Sequence, residues 1–331
     1  MKLSVLDQSP ISRGSSPEQA LNNTLKLAEI TEQLGYTRYW VAEHHNTNGL
    51  ASVSPEILIG RIASCTNKIR VGSGGVLLPQ YSPYKVAENF KMLEALFPGR
   101  IDLGIGRSPG GSQDTRMALL DSIHKDMSEF PRQLHDLQGF LHNTLPQDHR
   151  YRLVKAAPRT KTVPPMWVLG LSERGAENAA EIGTGFMFGH FINPDKGQAA
   201  MEAYREKFQP SSDFEQPVNA VCIFIVCADT EEEAEELALS QDKWLLNVGK
   251  GSDIKVPSIE EVKKRSYRQE ELDIIEKNRR RTVIGTPEQV KAELERLGDY
   301  YQTDEFMIIT NIYDFDAKVH SYRLLAEAFE L

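Results

Sequence analysis

Cysteine is scarce in this chain: Cys65, Cys222 and Cys227 are the only three in 331 residues. An odd number without metal-type spacing gives neither a disulfide framework nor a cysteine-based zinc site, and it suggests a reducing compartment. Long apolar runs are lacking too. No stretch approaches the roughly 20 apolar residues of a membrane helix, and the opening "MKLSVLDQSP" has too short an apolar run for a signal peptide. The expectation is a soluble, cytoplasmic protein with no membrane partner. Positive charge is in deficit, with 38 Lys and Arg against 47 Asp and Glu and a formal charge of -9. That balance disfavours a nucleic-acid binder that works by neutralising phosphates. An anionic ligand would need a local basic site. No segment reads as a linker, so a single domain over 1–331 is expected.

What is present is a repeated helix-start signal: "SSPEQ" at 15–19, "VSPEI" at 53–57, "YSPYK" at 81–85 and "GTPEQ" at 285–289. In each, Ser or Thr can cap the first amides and Pro fits the first helical turn, where its missing donor is no loss. Ser16 with Gln19 and Thr286 with Gln289 have the spacing of a capping box. The pattern after Ser16 puts Leu21, Leu25, Ala28 and Leu34 near one helix face, with Gly35 as the stop.

Eight short apolar runs alternate with such helices, at 2–7, 39–42, 68–78, 100–106, 166–171, 186–192, 220–228 and 305–310. The first four begin about 30 residues apart, the size of one strand-plus-helix unit. Continuously apolar strands imply a parallel sheet covered by helices. Eight units fit an α/β fold of the (β/α)8 TIM-barrel type, with insertions after strands 4 and 7, near 107–165 and 229–304; a doubly wound sheet is the rival. The second insertion contains "KKRSYRQEELDIIEKNRRR", read either as a solvated amphipathic helix or as a lid that brings cations over an anionic ligand.

Functional groups of a barrel gather at the C-terminal ends of its strands. There, after the second run, stand Glu43, His44 and His45. Neighbouring strand residues point to opposite sides, so the two histidines are poorly placed to share one metal ion, and neither H-E-x-x-H nor C-x-x-C occurs. An imidazole at the barrel mouth can exchange protons near neutrality; a hydrogen-bonded structural histidine is the alternative. Gly72, Gly74 and Gly75 crowd the third run, which points to a bulge or the close approach of a flat ligand, or simply to relief of crowding between strands. The fourth run leads into "GIGRSPGG", which is not a G-x-G-x-x-G dinucleotide fingerprint. It leaves Arg107 at a strand end, suited to a phosphate or to a surface salt bridge. The fifth leads into "GLSERGAENAAEIG", a helix start with Ser172 as its cap, where free amides attract anions.

"YWVAEHH", "VGSGGVLLP", "GRIDLGIGRSPGG", "WVLGLSERGAENAAEIG" and "IGTPEQV", in this order and spacing across nearly the whole chain, resemble the bacterial-luciferase-like family of flavin-dependent oxidoreductases. The resemblance implies a barrel that binds FMN, with reduced FMN as cosubstrate, and a monooxygenase that uses oxygen to oxidise a small organic substrate. It further implies supply of reduced flavin by a separate reductase, and a homodimer. By position, Gly74 and Gly75 match a bulge under the flavin ring that often holds a non-proline cis peptide. Arg107 matches a phosphate-binding arginine, and Gly170, Leu171, Ser172 and Gly175 match the turn around the phosphate. His44 and His45, beside Glu43, match the pair at the flavin's reactive edge. The segment 250–284 matches a mobile loop that shields the flavin from water. Gly106 stands where luciferase has a reactive cysteine, so light emission from aldehydes is not expected. Hydride transfer with a deazaflavin or FMN, and a non-catalytic flavin carrier, are the alternatives.

Overall fold

The computed structural model describes residues 1–108, 110–250 and 255–331. Ten strands form: β1 (Lys2–Asp7), β2 (Arg38–Val41), β3 (Arg70–Ser73), β4 (Val76–Leu77), β5 (Ile101–Gly106), β6 (Met166–Gly170), β7 (Gly185–Gly189), β8 (Asn219–Cys227), β9 (Thr282–Gly285) and β10 (Glu305–Ile309). All pairings between them are parallel. The order β10-β1-β2-β3-β5-β6-β7-β8 closes through β8 and β10 into an eight-stranded barrel, so the doubly wound rival is excluded. Short β4 continues β3 beyond its bulge and pairs with β5, while β9 pairs with β8. No helix among the described residues is long and apolar enough to cross a membrane.

Alternation along the strands sorts side chains into two cores. Leu3, Val5, Tyr39, Val41, Phe186, Phe188, Phe306 and Ile308 pack outward against the helices. Their neighbours Leu6, Trp40, Met187, Cys222, Phe224, Met307 and Ile309 face the barrel interior. Charge closes the lower, N-terminal end. Arg38 donates to Glu305 Oε1 (2.7 Å) and Asp102 Oδ2 (2.9 Å), and Arg70 and Trp40 Nε1 also donate to Asp102. Burial raises the Asp102 pKa, but Arg38 and Arg70 outweigh it and hold the carboxyl below its ordinary value.

Local signals met mixed fates. Ser16 caps its helix through Gln19 N, and Thr286 with Gln289 closes a full capping box. Ser54 and Ser82 precede Pro55 and Pro83 as expected but make no side-chain cap bond; proline at the helix start suffices there. In the first helix, Pro17–Gln33, the buried stripe is Ala20, Thr24, Leu27, Ala28 and Thr31, and Leu21 and Leu25 lie beside it. Thr24 donates to buried Asp7 and Thr31 to Leu27 O, so polar residues occupy inward positions that a hydrophobicity pattern assigns to leucine.

Candidate functional site

At the C-terminal mouth of the barrel lies a cavity of about 750 Å³. Its wall contains Glu43, His44, His45, Gly74, Gly75, Gly106, Arg107, Gly170, Leu171, Ser172 and Gly175, while Gly72 lies off it against Asp102 and Trp40. Apolar side chains, among them Leu6, Trp40, Met187, Phe191 and Met307, make most of the remainder.

The histidines reach the cavity together for a local reason. β2 ends at Val41, so strand alternation does not govern His44 and His45, and both line the cavity. They are held differently. His45 Nε2 lies 2.6 Å from Glu43 Oε1, the oxygen to which the Tyr81 hydroxyl donates over 2.5 Å, and Glu43 Oε2 accepts from Leu77 N at 2.9 Å. His44 Nδ1 is buried and has no hydrogen-bond partner among the described residues. Burial, then the neighbouring His45, pulls the His44 pKa down to about 4, leaving a neutral imidazole near pH 7. Among the described residues no group of three or more His, Cys, Asp or Glu comes together as a metal site.

On the adjacent wall the Gly74–Gly75 peptide is cis. A Cβ on Gly75 would meet the Gly104 backbone oxygen at 2.8 Å, so that position requires glycine, whereas one on Gly74 would meet the end of the Leu6 side chain at 2.5 Å, which can move aside. At Gly106 the nearest atom to an added Cβ is Leu77 Cδ2, an ordinary 3.5 Å away. Arg107 is half-buried, and among the described residues no hydrogen bond or ion pair engages it. Opposite, Ser172 begins the helix Glu173–Ile182 with no side-chain cap bond, which leaves its hydroxyl available to a ligand. Gly170 and Gly175 touch backbone to backbone: a Cβ on Gly175 would stand 3.1 Å from Gly170 Cα. An unpaired guanidinium, a spare hydroxyl and a helix start facing one cavity form a phosphate cradle in chemical terms.

Sequence reasoning missed Gln8, Tyr81 and Asn178. Gln8 and Asn178 line the cavity; Gln8 directly follows β1, and that position was the available signal. Tyr81 carried none, since it acts through Glu43, 38 residues away in the chain. The described residues of the second insertion lend the cationic-lid reading no support. Its Lys263, Arg265, Arg279 and Arg280 pair with Glu236, Glu271, Asp242 and Asp195, and none of them lines the cavity. Within the expected loop at 250–284, residues 251–254 lie outside the described residues. Val256 beyond them is buried and bonded to Ile11 O and Arg13 N.

The fold and its mouth cavity are those of a (β/α)8-barrel enzyme. The luciferase-like monooxygenase family matches residues 1–303. A Bacillus subtilis (strain 168) protein, YceB, is 57% identical over 327 residues, covering 99% of both chains. The N-acetyl-S-alkylcysteine monooxygenase of the same organism is 39% identical, over 99% of this chain and 98% of its own. Apo-MsnO8 superposes with a TM-score of 0.89 at 35% identity, covering 100% of this chain and 98% of its own. Two remoter structures share the fold: a type II Baeyer-Villiger monooxygenase from Pseudomonas putida in complex with FMN (TM-score 0.71, 18% identity, 99% and 97% covered) and an F420-dependent secondary alcohol dehydrogenase (0.68, 16%, 99% and 98%). The chain belongs to the luciferase-like monooxygenase family.

Proposed function

We propose that the protein is a monooxygenase that takes reduced FMN from a separate reductase and oxidises a small organic substrate in the mouth cavity. The carrying observation is the composition of that cavity. An unengaged arginine and a helix start stand where a phosphate would sit, a glycine bulge offers flat backbone to a ring, and a buried, unpartnered His44 lies beyond it. These residues fit the group. Arg107, Ser172 and the turn Gly170–Gly175 would hold the phosphate, and Gly74 and Gly75 would lie against the isoalloxazine. Reduced FMN, when bound, supplies the electrons that activate oxygen.

The chain's own residues do the rest. His44, neutral near pH 7, is placed to hold or take a proton at the reacting edge. Glu43, fixed by Tyr81 and Leu77 N, orients His45. The apolar wall keeps water from the reacting atoms. The name of the 39%-identical relative supports oxygen transfer to a small organic molecule. Arg107→Ala should weaken FMN binding about tenfold or more, as expected for loss of a charge-assisted contact, while His44→Ala should slow substrate oxidation with little change in flavin affinity. Wild-type affinity and turnover in both variants would refute the assignment.

A homodimer is part of the same proposal. Ile57, Met92 and Leu96 are 77%, 59% and 59% exposed on the adjacent helices Pro55–Cys65 and Pro83–Leu96. Large apolar side chains left exposed on neighbouring helices suit a protein–protein contact.

A further inference from the structure

We infer that the side-chain amide of Gln8 is a pairing site for an amide-like edge, an N–H beside a C=O, on the molecule that fills the inner part of the cavity. The inference rests on the reading of this cavity as the ligand site. Gln8 follows β1 on the face that Leu6 turns inward, lines the cavity and is only 6% exposed. Among the described residues its buried Oε1 has no partner, and neither polar atom of the side chain hydrogen-bonds to any of them. A carboxamide carries both a donor and an acceptor, and buried polar groups are nearly always paired. The inner wall around it, Leu6, Trp40, Met187, Cys222 and Met307, has nothing to offer that amide, so the partner is a ligand.

The electrostatics restrict that ligand. Among the described residues only Glu43 and Arg107 bring formal charge to the cavity wall, apart from the histidines. Glu43 is already held by Tyr81, Leu77 N and His45, and Arg107 directly follows β5, three barrel strands away from β1. A carboxylate or ammonium placed beside Gln8 would be desolvated without a counter-ion. The matching group is therefore neutral, with donor and acceptor side by side. Two kinds of molecule carry it: the pyrimidine edge of a flavin, and an organic substrate whose amide is held cis in a ring, a lactam or an imide.

The test compares the wild type with Gln8→Met, which keeps the length of the side chain, and Gln8→Leu, both first checked for folding by circular dichroism. FMN and N3-methyl-FMN are titrated into flavin-free protein by tryptophan fluorescence. 4-Benzylpyrrolidin-2-one, a cis lactam, and 4-benzyl-γ-butyrolactone, which differ in the N–H, are titrated by calorimetry with and without FMN. The wild type should favour the N–H member of one pair by about tenfold, the range of one buried hydrogen bond, and both variants should lose that preference. Loss in the flavin pair assigns Gln8 to the flavin; loss in the benzyl pair with unchanged FMN affinity assigns it to the substrate. No discrimination by the wild type in either pair, no binding of any of the four, or a preference that survives both substitutions overturns the inference. Failure to bind FMN with intact discrimination of the benzyl pair would sink the flavin reading and leave Gln8 standing.

Discussion

Tyr81 donates its phenolic proton to Glu43 Oε1 across 2.5 Å, and the same oxygen meets His45 Nε2 at 2.6 Å. One buried carboxylate thus serves two partners, with Leu77 N on its other oxygen. Removing the phenol leaves a charged acceptor short of a donor, a change that costs about 1–3 kcal/mol. Tyr81→Phe should lower stability by that amount in urea unfolding while leaving the affinity for FMN within about threefold. A loss below about 0.5 kcal/mol would mean that the bond contributes little.

The glycines of the mouth divide into two kinds. At Gly175 an added methyl would press on Gly170 Cα at 3.1 Å, whereas at Gly106 it would find only ordinary contact at 3.5 Å. Gly175→Ala should spread the turn and weaken FMN binding about tenfold. Gly106→Ala should change stability by less than about 0.5 kcal/mol. Fluorescence titration and thermal melts of the two variants check both halves; equal effects would contradict the division.

His44 links the site to pH. Its folded-state pKa near 4 lies below the about 6.5 of an unfolded histidine, so between those values the unfolded chain binds a proton that the folded chain does not. Stability should fall as pH drops from about 6.5 to 4 and stop falling on this account below that. Buried His190, also pulled down to about 4 chiefly by burial, acts in the same direction. Unfolding curves of the wild type and His44→Gln across this range should show a shallower fall in the variant; identical slopes would contradict the assignment.

The exposed apolar residues of the helices Pro55–Cys65 and Pro83–Leu96 give a simple solution test. Ile57→Glu together with Leu96→Lys should shift a dimer to monomer in sedimentation velocity. A wild type that sediments as a monomer would refute the homodimer.

Much of the fold was legible because parallel barrel strands, buried on both faces, read as continuous apolar runs. Each of the eight runs became a barrel strand. β9, with three half-buried residues of four, lacks that signature and escaped notice. The site was legible where one residue suffices, as at Arg107 or Gly75. It was not legible where the barrel brings distant residues together, as with Tyr81 and Glu43. Nor does hydrophobicity reveal inward polar residues such as Thr24, whose burial depends on a partner in β1.

The central claim is that this mouth cavity uses reduced FMN with oxygen. The direct measurement mixes the protein anaerobically with reduced FMN, admits oxygen, and follows flavin absorbance by stopped flow. The expected result is a flavin spectrum distinct from both the reduced and the oxidised forms, lasting well beyond anything seen with free FMN. Reoxidation at the free-flavin rate, directly to the oxidised spectrum, would contradict it.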